Sequence, residues 1–293
     1  MKTKQILCVC LCFLLIFSDC AYILGAEKTR NRKTEEQFVT KETGEQEVDV
    51  SDCDKRLADM GTPEEVIDNL DDNFKHYIVE NSETSETYEG FGEDVLQNES
   101  LQASNLINAR SSMLSDSDIY VKVYATGVKL NGKKYVKIYP AFEWKKSCSI
   151  DNDTFAFSLY DDWECKGGNE VGLTVNSVNK NGVLVEQTDE PLKPTDATSK
   201  GYGFHISSKN IKPLPKEGHY EGYAYFYAKK KKDKASNSIS LNYIHDTATF
   251  FSTSYGISIG TGNVTVDISA SSNQNKLQLY SKNLGFSFYF SSK

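Results

Sequence analysis

Residues 120–144 read YVKVYATGVKLNGKKYVKIYPAFEW, and this stretch decides the fold. Apolar and polar side chains alternate on both sides of Asn131-Gly132. Period-two alternation marks a strand with one buried face, and Asn-Gly accepts the two positive φ values of a type I′ turn. The reading is a β-hairpin of Tyr120–Leu130 and Tyr135–Trp144. On its second strand Val136, Ile138, Pro140, Phe142 and Trp144 share one face, and Tyr135, Lys137, Tyr139 and Glu143 share the other. Pro140 has no N–H for a ladder bond, so it predicts an edge strand or a bulge.

The same period continues to the end of the chain. Expected strands cover Thr154–Tyr160, Val171–Val178 and Val183–Gln187 (a second hairpin, around Asn181-Gly182), Tyr202–Ser207, His219–Ala228 and Ser238–Ile244. Four more follow, Phe250–Ile259, Val264–Ser269, Lys276–Tyr280 and Leu284–Phe290. Strands joined by tight turns, with no helical segment between them, predict a mainly β chain folded as an antiparallel β-sandwich over 119–293. That length suffices for one substantial core.

Upstream the character changes. Lys2 and Lys4 precede an unbroken apolar run from Ile6 to Phe17. The run is shorter than the ~20 residues that cross a bilayer as a helix. Residues 1–26 therefore read as a signal peptide, cleaved after Ala26 or after Cys20. Asp19 sits where a lipobox wants a small residue, which disfavours a lipid anchor at Cys20. The mature chain is expected to be secreted, with no transmembrane helix. Residues 27–61 are dense in charge and read as a disordered acidic linker. Residues 62–80 carry one amphipathic helix: Thr62 and Glu65 match a capping box, Pro63 suits the first turn, and Val66, Ile67, Leu70, Phe74, Tyr77 and Ile78 form one face. So short a helix must dock, most simply on the β-domain. Residues 81–118 read as linker, broken by Gly90-Phe91-Gly92.

The formal charge of −8 is unevenly spread. Residues 27–118 hold 9 basic and 24 acidic side chains, net −15, whereas 119–293 hold 22 and 16, net +6. Beyond the signal, three of the seven cysteines remain: Cys53, Cys148 and Cys165. In an oxidising compartment Cys148 and Cys165, flanking one expected strand, are the candidate disulfide, which would contribute roughly 3 kcal/mol. The alternative is free thiols.

The candidate binding residues are tyrosines and lysines. Alternation places Tyr223, Tyr225 and Tyr227 on one face with His219 and Glu221, and Tyr135 and Tyr139 can extend that face. Flat rings with hydroxyls suit carbohydrates and extended polymers, although tyrosine is also simply a good strand former. Lys229, Lys230, Lys231 and Lys232 form a basic tip able to meet an anionic surface, or merely a solvated turn. No nucleic-acid motif accompanies them. No catalytic residue is assigned, since GxSxG is absent and His245-Asp246 has no presented nucleophile. No cofactor and no metal ligand is expected: His205, His219 and His245 have no ligand spacing, and the acidic turns at Asp151–Asp153 and Asp161–Asp162 lack the EF-hand pattern. The segment 248–272 alternates like the inserting hairpin of a pore-forming toxin, or like any half-buried hairpin.

Thr62 to Ser82, the YVKVYA start at Tyr120, FEWKK at Phe142, GYAYFYAKKKK at Gly222 and YIHD at Tyr243 resemble a family of secreted Gram-positive bacterial proteins with no assigned activity. That resemblance implies compartment and fold and carries over no functional residue. The expected function is non-catalytic binding at the bacterial envelope or in its surroundings, to a cell-wall polymer, a carbohydrate or another anionic surface. The alternative is membrane activity through the 248–272 hairpin.

Overall fold

The hairpin around Asn131-Gly132 forms as its turn chemistry demands. In the computed structural model, strands β2 (Ile119–Leu130) and β3 (Lys133–Trp144) pair antiparallel from Leu130↔Lys133 to Ile119↔Trp144, with φ of 51° at Asn131 and 76° at Gly132. The structure describes residues 50–95, 118–150, 152–166, 171–232, 238–246, 255–268 and 277–285. The expected signal peptide and most of both expected linkers lie outside them.

Around the hairpin grows an eight-stranded antiparallel sheet. It runs from β1 (Thr87–Val95) through β2 and β3 to β10 (His219–Ala224), β6 (Leu173–Val178) and β7 (Leu184–Gln187), while β11 (Phe226–Lys230) and β5 (Trp163–Cys165) extend it beside β3. Pro140 is neither on an edge strand nor at a register shift. Glu221–Tyr223 face Glu143–Ala141 and Phe226–Ala228 face Ile138–Val136 in one unbroken register. Only the ladder bonds at the proline are missing, and there β10 gives way to β11.

The second sheet has the order β15 (Leu277–Gly285), β12 (Ser238–Asp246), β4 (Asn152–Leu159), β9 (Gly201–Ser207), β8 (Asp196–Thr198). β15 is a single strand where the sequence suggested two, because Ser281–Asn283 keep pairing with Asn242–Ser240. The two sheets bury one core between them. Val121, Val123, Ile138, Phe142, Trp144 and Phe226 meet Phe155, Phe157, Phe204, Leu241 and Tyr243 there.

The other face of the first sheet is covered by helices. The helix expected over 62–80 is two, α2 (Glu64–Asn69) and α3 (Asp72–Glu80), separated by extended backbone at Leu70 and Asp71. Asp71 accepts a hydrogen bond from Phe74 N at 2.7 Å and so caps α3. The proposed Thr62 cap does not form. The Thr62 hydroxyl instead shares a 2.6 Å hydrogen bond with Tyr124. The expected linker 27–61 also contains a helix, α1 (Val50–Asp59). It ends in a glycine cap: Gly61 has φ +85°, Thr62 N donates to Leu57 O and Gly61 N to Ala58 O. Val50, Cys53, Leu57 and Met60 are spaced for one face, a signal hidden by the surrounding charge. Likewise β1 lies in the expected linker 81–118, disguised by its glycines and acids, with Glu89 as a bulged extra residue.

The hairpin β13 (Tyr255–Gly260) and β14 (Asn263–Ile268) forms its own two-stranded sheet. It lies on the outer face of the second sheet, where small residues admit it. Ile257 and Ile259 approach Gly203 beside Ala156, Gly262 N donates to Leu159 O at 2.8 Å, and Ser158 donates to Gly260 O. Ile259 and Val264 are buried by this contact.

Cys148 and Cys165 are free thiols, which corrects the expected bridge. Cys148 lies beside Asp153 at the start of β4, and Cys165 beside Tyr202, which pairs with Phe157 farther along the strand. Four strand positions span about 13 Å. A disulfide needs Cα atoms closer than ~7 Å.

Candidate binding site

Cross-strand register arranges the helix-side face of the first sheet in rows. Tyr120, Glu143, Glu221 and Asn176 form one, and Lys122, Ala141, Tyr223 and Thr174 the next. Tyr124 and Tyr139 follow, then Thr126, Lys137 and Tyr227. The helices cover much of this face. Phe74 stacks on Tyr223 with centroids 5.2 Å apart, and Tyr77 leans on Tyr223 and Tyr225 at 5.3 and 6.4 Å. The tyrosine alternation is as expected, but Tyr139 and Tyr223 are buried, not open to a ligand. The physical reason is that an aromatic sheet face and an apolar helix face in one chain cover each other. Burial lifts the Tyr139 and Tyr223 hydroxyls well above their ordinary range.

Beyond the helices the face opens. Tyr135, Tyr225 and Tyr227 are partly exposed there. The exposed Lys166 holds its ammonium 5.4 Å from the Tyr135 ring and 5.7 Å from the Tyr227 ring. Beneath, the buried Lys137 ammonium sits 4.3 Å from the Tyr225 ring and 3.4 Å from Glu86. Lys229, Lys230, Lys231 and Lys232 continue from Tyr227 along β11 and past its end. Lys229 and Lys231 are exposed, while Lys232 pairs with Asp162 at 2.8 Å. Sequence reading placed Lys137 on the face of Tyr135 and Tyr139 but not its burial against Tyr225 and Glu86, and it missed Lys166, which no local spacing ties to the tyrosines.

At the opposite end of the face lies a denser polar cluster. Lys122 Nζ is 2.8 Å from Asp71 and 3.4 Å from Glu143. Glu221 Oε2 accepts from Tyr223 and, at 3.0 Å, from Asn73. His219 Nε2 lies 3.4 Å from Glu221 Oε1 and 4.0 Å from Glu143 Oε1, without an aligned hydrogen bond. Burial holds the Glu221 carboxyl above its usual range; the Asp71 and Glu143 charges add to this, and the nearby His219 ring and the hydrogen bond from Tyr223 oppose it. Glu143, His219 and Glu221 are the group able to hold a metal among the described residues.

The remaining sequence candidates do not converge. His245 Nδ1 is 2.9 Å from buried Asp153, which also accepts from Tyr243 at 2.8 Å. The neighbouring Cys148 thiol is pushed up by burial, which suits packing rather than nucleophilic attack. His205 and His245 lie in the second sheet, away from His219 in the first. Of the acidic turns, Asp161 pairs with Lys200 and Thr261, and Asp153 sits at the other end of β4.

No family model matches the chain, and no curated protein matches it. Among solved structures it is similar to the full-length major pilin SpaD from Corynebacterium diphtheriae, with TM-score 0.25 and 10% identity over 61% of this chain and 59% of the pilin. It is also similar to AvmM, which catalyses macrocyclization in alchivemycin A biosynthesis, with TM-score 0.21 and 10% identity over 54% of this chain and 95% of that one. Superpositions at these scores carry no argument. No helix among the described residues is long and apolar enough to cross a membrane.

Proposed function

We propose that this chain is an exported, non-catalytic binding protein that holds an anionic polymer of the cell envelope on the open end of its tyrosine-lined sheet. The observation that carries the reading is the exposed Lys166 ammonium poised over the half-buried rings of Tyr135 and Tyr227, beside exposed Lys229 and Lys231. Rings offer stacking surface to sugars, and ammonium groups offer charge to phosphate or carboxylate. The membrane-active reading is less well supported, because Ile259 and Val264 of the β13–β14 hairpin are already buried on the second sheet; the rest of the 248–272 segment, 248–254 and 269–272, lies outside the described residues.

Co-sedimentation of the full chain with isolated cell walls, run beside dye-loaded anionic liposomes, tests this. Pelleting with walls, weakened by Lys166→Ala and Tyr227→Ala and by added salt, is the expected result. Wall binding unchanged in both variants, or dye release from the liposomes, would reject it.

A further inference from the structure

Glu143, His219 and Glu221 come from two neighbouring strands, and one ligating atom of each lies within 4.8 Å of the others. Ligands on a first-row metal sit about 3.4 Å from one another at tetrahedral geometry. The observed 3.4 and 4.0 Å separations from His219 Nε2 to the two carboxylates are close to that. A separate observation concerns Asn176. The residue is 4% exposed and its Oδ1 has no hydrogen-bond partner. Asn176 is directly cross-strand from Glu221, which places it on the same sheet face, Cβ about 4.5–5.5 Å away. A buried carbonyl oxygen without a donor is a cost that a cation removes.

From this geometry we infer that Glu143, His219 and Glu221, with Asn176 as a neutral fourth donor, form a site for a divalent first-row transition ion of the Zn²⁺ or Mn²⁺ kind. Glu221 is prepared for the role: Tyr223 and Asn73 both donate to Oε2, which leaves Oε1 turned to His219. Such outer hydrogen bonds orient metal ligands. The charge balance agrees. Asp71, Glu143 and Glu221 bring three carboxylates, and Lys122 is the buried cation among them. Ca²⁺ would want six to eight oxygens and Mg²⁺ an oxygen octahedron, whereas imidazole with carboxylates suits the transition ions. The ion can enter from solvent, since the His219 and Glu143 side chains keep 15% and 16% of their surface. One group stands in its way. Lys145 Nζ lies 2.8 Å from Glu143 Oε1, but also 4.7 Å from the Tyr120 ring centroid, where it can retreat. The ion and the Lys145 ammonium therefore compete. Asn73 and Asp71 bind the same cluster from the helices, so occupancy clamps the helix layer to the sheet.

The test is calorimetric titration of the full chain, stripped with EDTA, with Zn²⁺, Mn²⁺ and Ca²⁺, followed by visible absorption of the Co²⁺ form. One Zn²⁺ or Mn²⁺ per chain is expected, with little Ca²⁺ uptake. His219→Gln and Glu143→Gln should each weaken binding by more than the roughly 10- to 100-fold lost with an outer hydrogen-bond partner. Lys145→Met, at an exposed position, should strengthen it several-fold and keeps the test open if a ligand variant misfolds. The Co²⁺ d–d bands should change in His219→Gln. Absence of saturable binding, unchanged affinity in His219→Gln and Glu143→Gln, no gain in Lys145→Met, or a cobalt–thiolate charge-transfer band would each overturn the site.

Discussion

Lys137 shows how much a single side chain decides. Its ammonium is buried, bonded to Asn81 O, ion-paired with Glu86 and ringed by Tyr139, Tyr225 and Tyr227. Desolvation lowers its proton affinity, with Glu86 opposing. Glu86 in turn accepts from Thr126 at 2.6 Å and from Tyr139 at 3.2 Å. Breaking a buried pair leaves an uncompensated charge, so Lys137→Met is expected to cost about 3–5 kcal/mol in urea denaturation. Adding Glu86→Gln should recover much of that loss; a double variant as unstable as the sum of the singles would refute the pairing. Glu221 supplies the pH-dependent counterpart. Its carboxyl binds its proton more tightly folded than unfolded, so the stability it contributes is full below about pH 4.3 and is lost as pH rises through the folded value. Measured in EDTA, the stability of the natural chain relative to Glu221→Gln should therefore fall as pH rises from 4. A flat difference would show that Glu221 ionises at its ordinary pKa.

The helices illustrate what decides an element. Their apolar face was legible: Val66, Ile67, Leu70, Phe74 and Ile78 are all buried. The break at Leu70–Asp71 was not legible, because no local pattern separates Asp71 from the neighbouring acids Asp68 and Asp72. Its carboxylate serves three groups, Phe74 N, Lys122 and Tyr223. Only the last two, brought by the sheet, make a new helix start there worthwhile. Phe74→Ala removes a fully buried ring stacked on Tyr223 and should cost about 3–5 kcal/mol. The glycine cap makes a smaller prediction. Gly61→Ala forces a side chain into φ +85° and should cost about 1–2 kcal/mol. Thermal or chemical unfolding that ranks Gly61→Ala above Phe74→Ala would contradict this account of the layer.

Across the whole molecule the described body is layered: helices, first sheet, second sheet, and the β13–β14 hairpin. The hairpin depends on the small outer residues of the second sheet. A Cβ at Gly203 would lie 3.3 Å from Ile257 Cδ1 and 3.5 Å from Ile259 Cδ1. Gly203→Val is thus expected to lift the hairpin while the sandwich stays folded. Amide exchange should accelerate at 255–268 and remain slow in β2 and β3; equal acceleration in both, or none, would show that the hairpin is not docked through Gly203.

The sequence by itself determined that the chain is mainly β and antiparallel, where its first hairpin turns, and which faces of strands and helix are apolar. Those features are local, because side-chain period and turn residues act within a few positions. Tertiary structure alone decided what covers each face. Tyr139 and Tyr223 went beneath the helices while Tyr135 and Tyr227 stayed near solvent, though all four share one alternation. It also decided that Glu143 would meet His219 and Glu221, and that Cys148 and Cys165 would stand apart. Such outcomes depend on register and strand order, which are set by the simultaneous packing of distant segments and leave no mark in local spacing.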